Sequence, residues 1–288
     1  MSMQLLLPGV FFVTALLYST AGFGGGSTYS AVLSQTSLPR FMIPLVSLPC
    51  NIVVSGTGFF RLLRSGEVPV RQLLRITLVS VPAAFLGGLV PVSRRLFVLL
   101  LGILLLYAGV QALITHLIPT SRPTPSPGAD TAPVTPRRPL SLGIRPDPPA
   151  RFSAQESREQ SLLPQNFPGP FLYAAGTAIG FVSGITGIGG GIVLSPLLWR
   201  YTSLAPRAIA GMSSGFILLN SLAGLSGQII KSGLPDSSIL NLTAGLVIAV
   251  ALGGQIGSRI LTRSISVRVL GIGTGSLLVA AAIRLIGM

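Results

Sequence analysis

Long apolar runs alternate with short polar segments along most of the chain. A bilayer core about 30 Å thick needs roughly 20 mainly apolar residues per helix. The apolar runs predict eight membrane-spanning helices, at residues 5–18, 43–63, 73–90, 96–118, 171–185, 209–230, 239–256 and 267–286. The runs do not alternate apolar with polar residues as the strands of a membrane β-barrel do. The pattern therefore predicts an all-α fold, a polytopic bundle of transmembrane helices.

Two further apolar pieces, 28–33 and 192–198, are too short to span a bilayer. Each follows a glycine cluster of the same form, GFGGG at residues 22–26 and GIGGG at residues 187–191. Glycine allows positive φ and close approach of the backbone, so each cluster is expected to break a helix. Irregular backbone at membrane depth must be buried in protein or line a watery cavity. The two short pieces are interpreted as half-helices inside the bundle.

Several short motifs recur in the two halves of the chain at a nearly constant spacing. Residues 24–26 recur 165 positions later as 189–191. Pro39-Arg40 recurs as Pro206-Arg207, and residues 64–66 match 231–233, both at a spacing of 167. The constant spacing indicates internal duplication, and duplicated halves recur in secondary transporters that hold substrate where the repeats meet. Eight full spans would make the repeats parallel, whereas a re-entrant element counted as a span would make them inverted.

A segment rich in Pro, Ser, Thr and Arg separates the two halves. Proline at this density prevents a continuous helix, so the segment is interpreted as a disordered or polyproline-like linker outside the membrane. The sequence thus predicts a first transmembrane repeat at 1–118, a linker at 119–169 and a second transmembrane repeat at 170–288.

Charge is scarce and strongly unbalanced. Only 9% of the residues are charged, with 20 Lys and Arg against 6 Asp and Glu, whereas soluble domains have about 25% charged residues. The arginines stand singly or in pairs at the ends of apolar runs. That placement is typical of the flanks of spanning helices and excludes a nucleic-acid-binding face. The lipid bilayer is the expected environment, and nucleic acid is not an expected partner.

Acidic residues are nearly absent from the membrane part of the chain. Only Glu67 and Asp236 occur there, each in the loop after the second span of its half. No acid–histidine pair or cluster of metal ligands is present, so the sequence predicts neither an enzyme nor a bound metal or cofactor. Cation carriers keep carboxylates inside the bundle. Their absence points to a small anion as the transported partner.

The glycine clusters provide the chemistry for binding an anion. A half-helix starts with free N–H groups and the positive end of its dipole, which together form a backbone site for an anion. Polar side chains follow on the same half-helix and on the next helix of each half. The alternative is that the glycines only allow close helix packing. The candidate substrate-binding residues are Gly24, Gly25, Gly26, Ser27, Thr28, Ser47, Asn51, Gly189, Gly190, Gly191, Ser213, Ser214, Asn220 and Ser221.

These motifs resemble those of a known transporter family. The second half carries the glycine cluster, a short apolar helix, PRAIAGMSS at residues 206–214, and then Asn220-Ser221 and Gly224. This combination resembles the sulfite exporter TauE/SafE family, also known as the toluene sulfonate uptake permeases. The resemblance implies a bacterial inner-membrane transporter of about eight helices for sulfite, sulfonates or related small anions. Ser47 to Asn51 in the first half and the long linker depart from the family pattern.

Three function classes stay open at this point. The first is a secondary transporter for a sulfur-containing oxyanion or organosulfonate, the second an anion channel, and the third a membrane sensor or scaffold that uses the linker. The sequence determines neither the oligomeric state nor the membrane orientation. With eight spans, the arginines would be divided about equally between the two sides of the membrane. One side would have Arg61, Arg64, Arg71 and Arg75, and the other Arg94, Arg95, Arg259, Arg263 and Arg268.

Overall fold

The chain forms a helical bundle in the computed structural model, which describes residues 3–19, 24–117, 169–202, 204–260 and 267–286. The predicted linker, apart from Gly169, lies outside the described residues. Residues 20–23, before the first glycine turn, lie outside them too. The described part is helical without strands. Its helices are α1 (Met3–Tyr18), α2 (Gly26–Ser34), α3 (Ile43–Arg64), α4 (Val70–Leu89), α5 (Arg94–Leu117), α6 (Gly169–Thr186), α7 (Gly191–Tyr201), α8 (Pro206–Ser232), α9 (Ser237–Ile260) and α10 (Val267–Ile286).

Not every predicted span is long enough to cross a membrane. Among the described residues, α3, α4, α5, α8 and α9 have the length and hydropathy of spanning helices. The apolar parts of α1 and α6 are shorter, and α2 and α7 have only 9 and 11 residues. The structure therefore confirms the all-α class with several membrane spans and does not confirm a count of eight.

Helices α3 and α8 pack against each other in opposite directions. Gly58, late in α3, lies beside Ser214, early in α8, and Leu48 lies beside Gly224. At one end Glu67, just after α3, forms a salt bridge with Arg207. At the other end Arg40 and Lys231 line the same cavity. We call these two ends of the bundle the Glu67 face and the Arg40 face.

Helices α6 and α7 form a hairpin. Gly180 packs on the backbone of Ser80, and Gly184 on that of Ala84, so α6 runs parallel to α4. Since α4 begins just after Glu67, both helices run from the Glu67 face toward the Arg40 face. The chain reverses at the second glycine cluster, and α7 leads back to α8, which begins at the Glu67 face. Both ends of this hairpin lie on the same side of the bundle.

Helices α1 and α2 form the corresponding hairpin on the opposite side. Gly253 packs on the backbone of Phe12, and Gly257 on that of Leu16, so α1 runs parallel to α9. Helix α9 follows α8 and starts at the Arg40 face. Helix α2 returns to that face, where a single 3₁₀ turn, Arg40–Met42, leads into α3. The small residues at these contacts let the helix backbones approach closely.

Candidate functional site

Two sharp turns made of glycine lie at the tips of the hairpins. Gly25 has φ of 75°, and Gly187, Gly189 and Gly190 have φ of 76°, 82° and 75°. Residues with a Cβ rarely adopt this left-handed region, which is why the chain can reverse there. Helix α2 begins directly after Gly25 and α7 directly after Gly190, so the helices break at the positions that the sequence predicts.

The two turns touch each other inside the bundle. A Cβ atom added to Gly26 would lie 2.6 Å from the carbonyl oxygen of Ile188. The Ser30 hydroxyl of α2 also donates a hydrogen bond to the carbonyl oxygen of Thr186, at 3.4 Å. The N-terminal ends of both half-helices therefore approach one point from opposite faces of the bundle.

Asn51, a fully buried residue of α3, bridges the two turns. Its Nδ2 donates a hydrogen bond to the carbonyl oxygen of Gly187 at 3.2 Å, and Ser47 donates to the same oxygen at 3.1 Å. The Asn51 Oδ1 atom is 2.9 Å from the position of a Cβ on Gly24, and Nδ2 is 3.3 Å from that on Gly189. A single amide thus contacts the first turn and the second.

Ile217 of α8 occupies the corresponding place on the other side. Its side chain is 3.1 Å from the Cβ position of Gly24 and 2.8 Å from that of Gly189, and it also contacts Gly191. Asn51 contacts the same two glycines and Gly26. The same two glycines thus meet a polar side chain of α3 and an apolar side chain of α8.

Several buried polar atoms around the turns have no hydrogen-bond partner within the described part of the chain. They include Asn51 Oδ1, Ser221 Oγ and Tyr29 Oη. Ser221 Oγ is 3.0 Å from the Cβ position of Gly189, and Tyr29 Oη is 2.9 Å from that of Gly25. Buried polar groups are nearly always satisfied by protein or ordered water. Their concentration at both turns indicates a place that a polar ligand or water would complete.

The structure brings many of the predicted site residues together and separates others from them. The six glycines, Ser47, Asn51 and Ser221 surround the contact between the turns. Ser213 is held by Ser195, with the hydroxyls 2.7 Å apart, and its carbonyl oxygen is 3.3 Å from the Cβ position of Gly191. Ser27 and Thr28 are buried in the first turn of α2, and Thr28 donates to Tyr18 Oη at 3.0 Å.

Ser214 and Asn220 have contacts that lead away from the turns. Ser214 donates to the carbonyl oxygen of Ala210 at 2.7 Å and lies beside Gly58. Asn220 donates to the carbonyl oxygen of Phe216 at 2.9 Å, within its own helix. Both residues are fully buried, but neither contacts both turns as Asn51 does.

Two residues at the turns were not predicted from the sequence. Ile217 has no polar group to mark it among the apolar residues of α8. Tyr29 is fully buried and stacks on Phe11 with ring centroids 4.5 Å apart. Its position two residues after the predicted Ser27 was the one available signal, since a hydroxyl there is close to the start of the half-helix.

Broken helices that meet inside a bundle of membrane spans are typical of membrane transporters. The family model described as "Sulfite exporter TauE/SafE" matches residues 7–285, and the chain belongs to this family. It is a multi-pass membrane transporter. A Sinorhizobium fredii protein described as "Probable membrane transporter protein y4hK" is 27% identical over 277 residues, which cover 96% of this chain and 95% of the relative. No solved structure matches the chain.

Proposed function

We propose that this protein is a secondary transporter that moves a small sulfur-containing oxyanion or organosulfonate across the cell membrane and binds it between the two glycine turns. Membership of the TauE/SafE family supports a transporter. The class of substrate is inferred from the family description together with the chemistry of the turns.

The observation that carries the proposal is the meeting of two half-helix N-termini beside unpartnered polar groups. The N–H groups of a first helical turn have no acceptor within their own helix, and the dipole adds roughly half a positive charge at that end. In α2 this turn contains Gly26, Ser27 and Thr28, and in α7 it begins at Gly191. Two such ends facing one point form a site for an oxyanion without a charged side chain.

Ligand contact is proposed for the predicted residues around the turns. The half-helix starts supply backbone N–H groups, and Ser27 and Ser221 supply hydroxyls that have no partner among the described residues. Thr28, Ser47 and Ser213 already hydrogen-bond to protein groups and position the turns around the anion. Such neutral groups bind an anion less strongly than a lysine or arginine does. The proposed site consists of Gly24, Gly25, Gly26, Ser27, Thr28, Ser47, Asn51, Gly189, Gly190, Gly191, Ser213 and Ser221. Ser214 and Asn220 are proposed to support it from α8.

Uptake into proteoliposomes tests the proposed function. We expect saturable uptake of labelled sulfite or of an organosulfonate such as taurine, and weaker uptake of carboxylates of similar size. An anion channel would give a flux that does not saturate at modest concentration. The proposal is wrong if the reconstituted, monodisperse protein moves none of these sulfur anions above empty liposomes.

We further propose that the two halves are inverted repeats. Equivalent helices α3 and α8 run in opposite directions, and the two hairpins have their ends on opposite faces. In this arrangement each half contributes one re-entrant hairpin and three crossing helices. The third crossing helix of the second half is α10, in addition to the five helices named above. The same spacing that pairs Arg40 with Arg207 then relates residues on opposite sides of the membrane.

This topology gives the protein an uneven distribution of Lys and Arg between its two faces. The Arg40 face carries five basic residues in the described helices, namely Arg40, Arg94, Arg95, Lys231 and Arg284. The Glu67 face carries Arg61, Arg64, Arg71, Arg75, Arg200, Arg207, Arg259 and Arg268. The segments 118–168 and 261–266, whose flanking helix ends lie on the Glu67 face, contain seven further arginines. Because Lys and Arg are retained on the cytoplasmic side, we propose that the Glu67 face is cytoplasmic.

Single cysteines at two equivalent positions test the topology. Ser65 and Ser232 are exposed and are 167 residues apart, on the Glu67 face and the Arg40 face. In a Cys50→Ala background, a membrane-impermeant maleimide is expected to label Ser232→Cys in intact spheroplasts and Ser65→Cys only after permeabilisation. Labelling of both from the same side would show parallel repeats, and the reverse order would show the opposite orientation.

A further inference from the structure

A cavity of about 680 Å³ lies at the Arg40 face. Arg40, Arg94 and Lys231 are among the residues that line it. No acidic residue is among the lining residues in the described part of the chain. The volume exceeds what a small oxyanion needs, so the cavity has room for the ion and its remaining water molecules.

The positive charges of this cavity are not compensated within it. Arg40 and Arg94 are close enough for their charges to repel, and the Nη1 atom of Arg40 is buried without a hydrogen-bond partner among the described residues. Arg94 is the first residue of α5, and Arg40 lies one short turn before α3. Both therefore stand at the positive ends of helix dipoles, where a cation is unfavourable. A bound anion would relieve both effects.

The equivalent position on the opposite face is arranged differently. Arg207 occupies the place of Arg40 in the Pro-Arg motif, and its Nη1 lies 3.0 Å from Glu67 Oε1. The equivalent of Glu67 at the spacing of 167 is Leu234, which cannot neutralise Arg40. The structure thus neutralises the arginine at the Glu67 face and leaves Arg40 with a partly unpaired guanidinium group facing a cavity.

The inner wall of the cavity reaches the glycine turns. Pro44 lines the cavity, and its Cα is 2.8 Å from the Cβ position of Gly187. Gln228, also in the lining, donates to the carbonyl oxygen of Gly184 at 2.8 Å. Pro44, Ser47 and Asn51 are three to four residues apart in α3 and lie on one face of it, and Arg40 lies in the 3₁₀ turn just before this helix. One face of α3 therefore leads from the cavity to the proposed substrate site.

We propose that this cavity is a second anion-binding site, which captures the small oxyanion or sulfonate at the Arg40 face before it reaches the glycine turns. Arg40 is the principal ligand, and Arg94 and Lys231 add to the attraction. The inference rests on the proposed function for the nature of the ion. By the uneven distribution of Lys and Arg, the site faces the non-cytoplasmic side.

The phosphate of an anionic lipid has the same chemistry as a free oxyanion and is the other source of a ligand at a membrane edge. The cavity extends inward to Pro44 and Ile185, near the bundle interior. This depth favours a small free ion over a headgroup that is attached to a lipid. Liposomes made only of phosphatidylcholine separate the two sources, because they contain no anionic headgroup.

The experiment compares Arg40→Gln with Arg95→Gln. Arg95 follows Arg94 in α5, is exposed and is not among the residues lining the cavity, so the control removes the same charge nearby. In phosphatidylcholine liposomes we expect Arg40→Gln to raise the KM for sulfite or taurine about tenfold with little change in kcat, since a charge-assisted contact is lost. Arg40→Lys should recover part of the loss. The uptake rate of Arg40→Gln should also depend less on ionic strength than that of the wild type.

Binding of sulfite and taurine to the detergent-purified variants, measured by calorimetry, separates this inference from the proposed function. If the wild type binds these anions and Arg40→Gln binds them more weakly than Arg95→Gln, the cavity site stands even when transport fails. Equal KM values and equal affinities for the two variants would overturn it. A difference that appears only in liposomes containing phosphatidylglycerol would assign the cavity to lipid and also overturn it.

Discussion

Replacing Gly189 with alanine is expected to reduce transport to roughly one hundredth of the wild-type rate, at the upper end of what losing contacts to a charged ligand costs. Gly189 has φ of 82°, and an added Cβ would lie 2.8 Å from Ile217, 3.0 Å from Ser221 Oγ and 3.3 Å from Asn51 Nδ2. The methyl group therefore enters the space between both turns and their polar partners. Initial uptake of labelled sulfite or taurine into proteoliposomes measures the effect.

Gly66→Ala is the matched control for backbone strain. Gly66 also has positive φ, 72°, but an added Cβ would meet nothing within 4 Å. The control is expected to cost about 1–2 kcal/mol of stability, the usual penalty of the left-handed conformation, and to transport normally. Equal transport by folded Gly189→Ala and Gly66→Ala, judged by size exclusion and thermal unfolding, would remove the second turn from the site.

Gly25 and Gly190 would be less informative positions. An added Cβ at Gly190 would lie 2.8 Å from Ile179 and 3.0 Å from Phe216, and at Gly25 it would lie 2.9 Å from the ring of Tyr29. Neither position has Ser221 or Asn51 among its nearest neighbours, as Gly189 has. A lost activity there would report a folding defect, which is the outcome that the packing interpretation of the glycines also predicts.

Replacing Asn51 with leucine is expected to lower transport roughly ten- to a hundredfold. One N–H of its amide donates to the Gly187 carbonyl oxygen, the other is proposed to donate to the ligand, and a hydrogen bond to a charged group contributes about 1.5–3 kcal/mol. Leucine has a similar size, so the space between the turns stays filled. The carbonyl oxygen of Gly187 keeps its bond from Ser47 at 3.1 Å, which limits the cost to folding. The dissociation constant for sulfite, measured by calorimetry, should rise with the KM for uptake.

Asn220→Leu provides the comparison for this variant. Asn220 is also fully buried, but its amide donates to Phe216 within α8. We expect a clearly smaller effect on binding, together with a similar loss of stability. If Asn220→Leu impairs binding more than Asn51→Leu at equal stability, the proposed site has been placed on the wrong helix.

Much of the fold followed from features that act locally. The apolar runs predicted helices in a membrane because their composition fits lipid whatever their neighbours are. The breaks before Gly26 and Gly191 were predicted because residues with a Cβ rarely adopt the required φ, and the structure has both. The PRAIAGMSS motif with the glycine cluster was also sufficient for the family, which the family model matches over residues 7–285.

The sequence showed only in part which residues lie together at the glycine turns, and the reason is visible at two residues. Gly24 and Gly189 could be paired by their spacing, but no pattern showed that Asn51 would contact both. Asn220 was an equally good candidate, since both are asparagines in the helix after a half-helix. Only the antiparallel packing of α3 on α8 turned Asn51 and Ile217 toward the turns and directed the amide of Asn220 into its own helix.

The sequence by itself determined the class of fold, the helix breaks and the scarcity of acids, because each depends on residues close together in the chain. The tertiary structure decided the direction of α1 and α6, the two faces on which the arginines lie, and the cavity at Arg40. Hydropathy measures the length of an apolar run and not its direction. The first helix of a hairpin that enters the membrane and returns therefore resembles a helix that crosses it. The packing of Gly180 and Gly184 on α4, and of Gly253 and Gly257 on α1, supplied that direction.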